Sequence, residues 1–180
     1  MMKPIHKLFL ISFLATSVPY GIMMYFFEYS DNVDSNEQIL WQLIISAVIF
    51  GLIMSVFFSV MQKRRLKKAG YPKLTDKLLK VKQSKTIETD LTQAEIFDIL
   101  KESNEFKKSK IKSLTNSLII RKKMSWFSWG EIITILFDVK ESNKIRIESK
   151  PYLPTTLIDY GVNIDNVDNV IKIIKTLPNK

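Results

Sequence analysis

The chain has 180 residues, and 27 Lys and Arg against 18 Asp and Glu give it a net charge of +9. That length accommodates a membrane hairpin and one small domain, not two independent globular domains. With no cysteine, disulfides, thiolate metal sites and a cysteine nucleophile are excluded. The single histidine, His6, precedes the first apolar run, so imidazole catalysis and metal binding are excluded from the remainder.

Leu8 to Phe27 is an uncharged apolar run of 20 residues, and Ile39 to Met61 is a second of 23. At ~1.5 Å per residue each spans the hydrocarbon core of a bilayer, about 30 Å thick. Lys3, Lys7, Lys63, Arg64, Arg65, Lys67 and Lys68 flank the outer ends of the two runs. The connecting segment carries Glu28, Asp31, Asp34 and Glu37 and no cation. Basic residues mark the cytoplasmic side, so both termini are expected inside a bacterial cell membrane. Abundant Lys, Ile and Asn suit a low-GC bacterial genome. Tyr25, Tyr29 and Trp41 flank the acidic loop as an outer aromatic belt would. A cleaved signal peptide is the rival reading, with Ala15, Thr16 and Ser17 as the small-residue site. The apolar run continues ten residues past that point, which is long for a secretory segment.

Ala47, Gly51, Ser55 and Ser59 recur every four residues on the second span, and Ser12, Thr16, Ser17 and Gly21 offer the same spacing on the first. Small residues let helix backbones approach closely. The stripe serves packing within one hairpin or a homodimer interface equally. Neither span carries a charged residue, so nothing suggests an ion path or proton relay. Lys63 to Lys68 reads as the inside anchor and as a patch able to attract anionic lipid, with Gly70 and Pro72 ending the helix.

From Lys73 onward 20 basic residues face 14 acidic ones, a net +6. Leu79, Val81 and Ile87 read as early strand material. Thr92-Gln93-Ala94-Glu95 is a capping box that opens a helix reaching about Asn104. Ile111 to Leu114 and Leu118 to Met124 form two strands about a Thr115-Asn116 turn. Ile133, Ile135, Phe137 and Val139 alternate strictly, and Ile145, Ile147 and Ser149 follow after a turn at 141–144. Val167, Val170, Ile171, Ile174 and Leu177 share one helical face, with Asn163 or Asp165 as cap. The expected fold is thus a two-span helical hairpin over residues 1–72 and an α+β domain over 73–180, with an antiparallel sheet and two helices.

Three cations, Arg121, Lys122 and Lys123, precede three aromatics, Trp126, Phe127 and Trp129, in an expected hairpin connection. Such a mixture suits a lipid interface or a partner site. The structural reading has the two tryptophans folding back to cap the core. Single-stranded nucleic acid would also stack on aromatics, but no RNA- or DNA-binding motif accompanies them. Asp159-Tyr160-Gly161-Val162-Asn163 supplies what a tight turn and helix cap require, and could alternatively line a small polar pocket. Glu88, Asp90, Glu131 and Glu148 occur singly, and no glycine-rich phosphate loop is present. No cofactor, metal site or catalytic residue is therefore expected.

The tail from Ser149-Lys150-Pro151 through Asp159-Tyr160-Gly161-Val162-Asn163 resembles the ending of small bacterial domains of unknown activity, often membrane-associated, in which a strand leads to Asp-[Phe/Tyr]-Gly-x-Asn and a helix. Two spans before a β-rich domain also resemble bacterial membrane proteins with pleckstrin-homology-like domains, although the Gln93 to Asn104 helix departs from that pattern. The Thr-Gln-Ala-Glu-Ile-Phe opening resembles helix-grip lipid-binding folds, of which this chain is too short for a full example. The hairpin, the basic domain and the lack of reactive side chains favour a non-catalytic membrane-anchored module that binds a protein partner or the lipid surface, and the resemblances imply no activity. A small-ligand binder or enzyme with a pocket between sheet and helices is the alternative.

Overall fold

A computed structural model describes residues 2–29, 36–125, 128–138, 143–156 and 158–176. The chain divides into two compact units, Met1–Leu79 and Lys80–Lys180.

The first unit is a pair of helices, α1 (Pro4–Tyr29) and α2 (Asn36–Lys68), packed on each other. Both are long and apolar enough to cross a membrane. Their apolar distribution is inverted relative to a water-soluble helix pair. Leu10, Leu14, Val18 and Ile22 on α1 lie exposed, as do Ile45, Ile49, Leu52, Ile53 and Val56 on α2. Ser12, Ser17, Ser55 and Ser59 are buried instead. In water such exposure would cost about 25 cal/mol for every Å² of apolar surface. In hydrocarbon it costs nothing, and each helix still satisfies its own backbone. At the interhelical seam a Cβ on Gly51 would stand 2.6 Å from Ser17 Cβ and 3.0 Å from the Phe13 ring. Only hydrogen fits there. Ala47 Cβ similarly abuts Gly21, and Tyr20 stacks on Phe50 with ring centroids 4.3 Å apart.

Beyond the apolar run α2 continues through the basic cluster and stops at Gly70, whose φ of +89° is the left-handed conformation a C′ glycine adopts. Tyr71 N–H donates to Leu66 C=O (2.8 Å) and Gly70 N–H to Lys67 C=O (3.2 Å), which satisfies two terminal carbonyls.

The second unit is a five-stranded antiparallel sheet of order β1-β5-β4-β3-β2. Its strands are β1 (Gln83–Glu88), β2 (Lys110–Leu114), β3 (Ser117–Lys122), β4 (Glu131–Phe137) and β5 (Lys144–Pro151). Two helices, α3 (Gln93–Glu102) and α4 (Val162–Lys175), pack on the sheet. Leu118, Ile120, Ile133, Ile135, Ile145 and Ile147 project from alternate strand positions into a core with Ile96, Leu100, Phe106, Val167, Val170 and Ile174. The two-helix hairpin followed by a small α+β domain is therefore the fold.

Local details differ from the expectations. Strand β1 begins only at Gln83, so Leu79 and Val81 precede it, and β3 ends at Lys122 before Met124. The α3 capping box forms as predicted, with Glu95 N–H donating to Thr92 Oγ1 and Thr92 N–H to Glu95 Oε2. The N-cap of α4 is Gly161, not Asn163 or Asp165. The reason is that an outside carboxylate does the capping: Asn163 N–H donates to Asp159 Oδ1 at 3.1 Å. Val139, Leu177 and the 141–142 turn lie outside the described residues.

Candidate functional site

With α3 and α4 on one face of the sheet, the alternate positions of every strand form an uncovered face. The register places Ile119, Ile132, Thr134 and Leu136 along its middle. Flanking them are Lys110, Lys112, Arg121, Arg146 and Lys150, against Glu88 and Glu148. Leu136 and Leu114 are exposed. Glu148 accepts from Lys82 Nζ and Arg146 Nη2, each at 2.7 Å. The Lys82 hydrogen bond, with Arg146 and Lys150 adding to it, holds the Glu148 carboxyl below its ordinary value against the opposing effect of burial. The acid is thus neutralised locally and the face stays basic.

At one end of the sheet the β3–β4 connection and the segment after β5 come together. Tyr152 N–H donates to Gly130 C=O (2.8 Å), and Glu131 pairs with Pro151 in the ladder. Ser125 N–H donates to Ser128 C=O (2.8 Å), closing the connection on itself. Met124 is 67% exposed, Trp129 65% and Tyr152 57%, with Leu153 also exposed and Lys123 beside them. Trp129 therefore does not cap the core. Trp126 and Phe127 lie outside the described residues.

The three cations of this segment part company. Arg121 points to the open face, and Lys123 is exposed. Lys122 turns to the helix side, where its Nζ donates to Glu105 Oε1 (2.7 Å) and Asn166 Oδ1 (3.0 Å) and lies 5.4 Å from the Phe106 ring centroid. It enters a buried polar chain. Asn166 Nδ2 donates to Ser149 Oγ (3.3 Å), Ser149 Oγ donates to Asn163 Oδ1 (2.6 Å), and Asn163 Nδ2 donates to Asp159 Oδ1 (2.6 Å). The Asp159-to-Asn163 segment thus works as a buried clamp between β5 and the start of α4. Glu131, cross-strand from Lys122, is buried, and its Oε1 has no hydrogen-bond partner among the described residues. Burial pushes the phenol of Tyr160, next to Asp159 in the chain, up from its usual value.

Lys63, Arg64, Lys67 and Lys68 are exposed and Arg65 half-exposed at the end of α2. Of the predicted stripe, Ala47 and Gly51 lie against α1, and Ser55 and Ser59 are buried. Among the described residues no three His, Asp or Glu side chains converge as metal ligands. An open depression lined by Thr86, Ile87, Glu88, Lys144 and Lys175 sits at the sheet end opposite Tyr152. Sequence reasoning missed Tyr152, Leu153 and the apolar centre of the open face. The latter had a signal: β4 reads Glu-Ile-Ile-Thr-Ile-Leu-Phe, with apolar residues at both parities. Tyr152 had none, because only the register carries it to Trp129.

Residues 1–67 are similar to a family of unknown function (DUF6404), a match that takes in the hairpin and leaves out the sheet domain. No curated protein and no solved structure matches the chain.

Proposed function

We propose that this protein is a two-span membrane anchor with both termini on the cytoplasmic side of a bacterial cell membrane, holding a non-catalytic binding domain at the inner leaflet. The observation that carries the reading is the inverted hairpin, apolar outside and small or polar inside, with every flanking cation at the ends away from the acidic loop. The domain acts by contact rather than chemistry. Its core between sheet and helices is filled by side chains with essentially no exposure, and its carboxylates Asp159, Glu105 and Glu148 are engaged by amides and cations. The lipid bilayer is one partner. The apolar middle of the open sheet face favours a protein as another, since a solvated sheet face ordinarily carries polar residues there.

The absence of native cysteine gives a clean topology test. Single cysteines at Ser35 and at Asn104 are labelled on intact cells with a membrane-impermeant maleimide. The loop position is expected to react from outside and the domain position only after permeabilisation. Labelling of Asn104→Cys on intact cells would overturn the orientation. Partner binding is tested by photocrosslinking from Leu136 in native membranes, where a discrete adduct is expected and none would count against the sheet face.

A further inference from the structure

We infer that the end of the sheet bearing Met124, Trp129, Tyr152 and Leu153 is a docking surface for an anionic bilayer, inserted into the interface of the same membrane that holds the hairpin. This deepens the anchored-module reading and rests on it.

Three observations within the domain converge. The first is composition: two aromatics, a methionine and a leucine stand exposed on two segments joined by the Tyr152 N–H to Gly130 C=O bond, with Lys123 exposed beside Met124 in the chain. Trp and Tyr settle at the headgroup level because their rings are apolar and their N–H or O–H stays hydrated. The second is charge. Arg121 and Lys150 both lie beside Ile132 on the open face at this end. The nearby acids are engaged or buried: Glu131 and Asp159 are buried, Glu105 is bonded to Lys122, and Glu148 is bonded to Lys82 and Arg146. Each cation near an anionic leaflet contributes to binding, and the effect fades with salt. The third is where the chain enters. Gln83, the first residue of β1, pairs with Ser149, two residues from Pro151 and three from Tyr152. The tether from the hairpin therefore arrives at the same end of the sheet as the exposed aromatics. A surface fixed near its target by a tether needs only weak intrinsic affinity.

The test uses the full chain reconstituted in vesicles. Trp41→Phe with Trp126→Phe leaves Trp129 as the sole tryptophan, and Trp126→Phe with Trp129→Phe leaves Trp41. In phosphatidylcholine vesicles containing phosphatidylglycerol and a shallow brominated lipid, Trp129 is expected to lose most of its emission and shift to the blue. Omitting phosphatidylglycerol, raising the salt, or replacing Arg121, Lys123 and Lys150 by Gln should restore it. An unquenched, water-like Trp129 in anionic vesicles overturns the proposal while Trp41 remains quenched. Unquenched Trp41 would instead overturn the anchor itself. A second copy as the occupant is read separately: Trp129→Cys crosslinking into dimers in the bilayer would replace the lipid by a self-interface, and monomers are expected.

Discussion

Asn163→Leu is the most informative substitution in the domain, because it keeps the branching of a side chain only 1% exposed while removing two hydrogen bonds. The amide loses its 2.6 Å bond to the Asp159 carboxylate and its 2.6 Å acceptance from Ser149 Oγ. A bond to a charged group contributes about 1.5–3 kcal/mol and a neutral one about 1 kcal/mol. Asp159 keeps the Asn163 backbone N–H, and Ser149 keeps Asn166 as a donor, so neither is wholly stranded. The added hydrocarbon recovers roughly 1 kcal/mol of apolar burial. The net expected loss is about 1.5–3 kcal/mol, which for a domain of this size lowers Tm by roughly 6 °C or more. Near-UV circular dichroism of the full chain in detergent reads the transition through the domain's aromatics. The companion variants Ser149→Ala and Ser149→Ala/Asn163→Leu close a double-mutant cycle, in which the double variant should lose less than the two single losses together. A Tm within a couple of degrees of wild type, or strict additivity, would refute the clamp.

Ile135→Ala, at a position with no exposure in the central strand β4, should cost about 2–5 kcal/mol, read as an earlier denaturation midpoint of the same signal. Glu148→Gln tests the open-face electrostatics. Its carboxyl is held below its ordinary value by Lys82, so its contribution is present above the unfolded value and disappears as pH falls through the depressed one. Wild type and variant should therefore differ in Tm at neutral pH and converge as the solution is acidified through the carboxylate range; a constant difference would sink the assignment. Gly51→Leu should force α1 and α2 apart, since even a Cβ there meets Ser17 at 2.6 Å, and spin labels at Leu14 and Leu52 would report the lengthened distance. Exchanging Lys63, Arg64, Arg65, Lys67 and Lys68 together for Gln removes most of the charge bias. A C-terminal topology reporter should then show mixed orientation, and an unchanged one would mean that the cluster does not set it.

The elements governed by local chemistry were legible in the sequence. The two apolar runs, the Thr92 capping box, the Thr115-Asn116 turn and the Ile133-Ile135-Phe137 alternation each announce themselves through periodicity or a short-range hydrogen bond. What escaped were consequences of pairing between distant segments. That Lys122 turns inward follows from its register with Glu131 and from Asn166 lying over it, neither of which a run of three cations discloses. The α4 cap was misplaced because its acceptor, Asp159, lies outside the helix and reaches in across a left-handed Tyr160-Gly161 pair. Trp129 admitted both a buried and an exposed reading, since an aromatic in a strand connection has the same sequence whether it folds over a core or away from it.

The pairing of β1 with β5 has a consequence for biosynthesis. The partner strand begins at Lys144, 56 residues after β1 ends at Glu88. At about 5–20 residues per second the ribosome takes roughly 3–11 s to supply it. Neighbouring strands β2, β3 and β4 can meet within microseconds of emergence, whereas β1 must wait for its partner. By then α1, α2 and the cluster at 63–68 have long been synthesised. The sheet is therefore completed at β1, and the strand that comes first in the chain is the last to be secured.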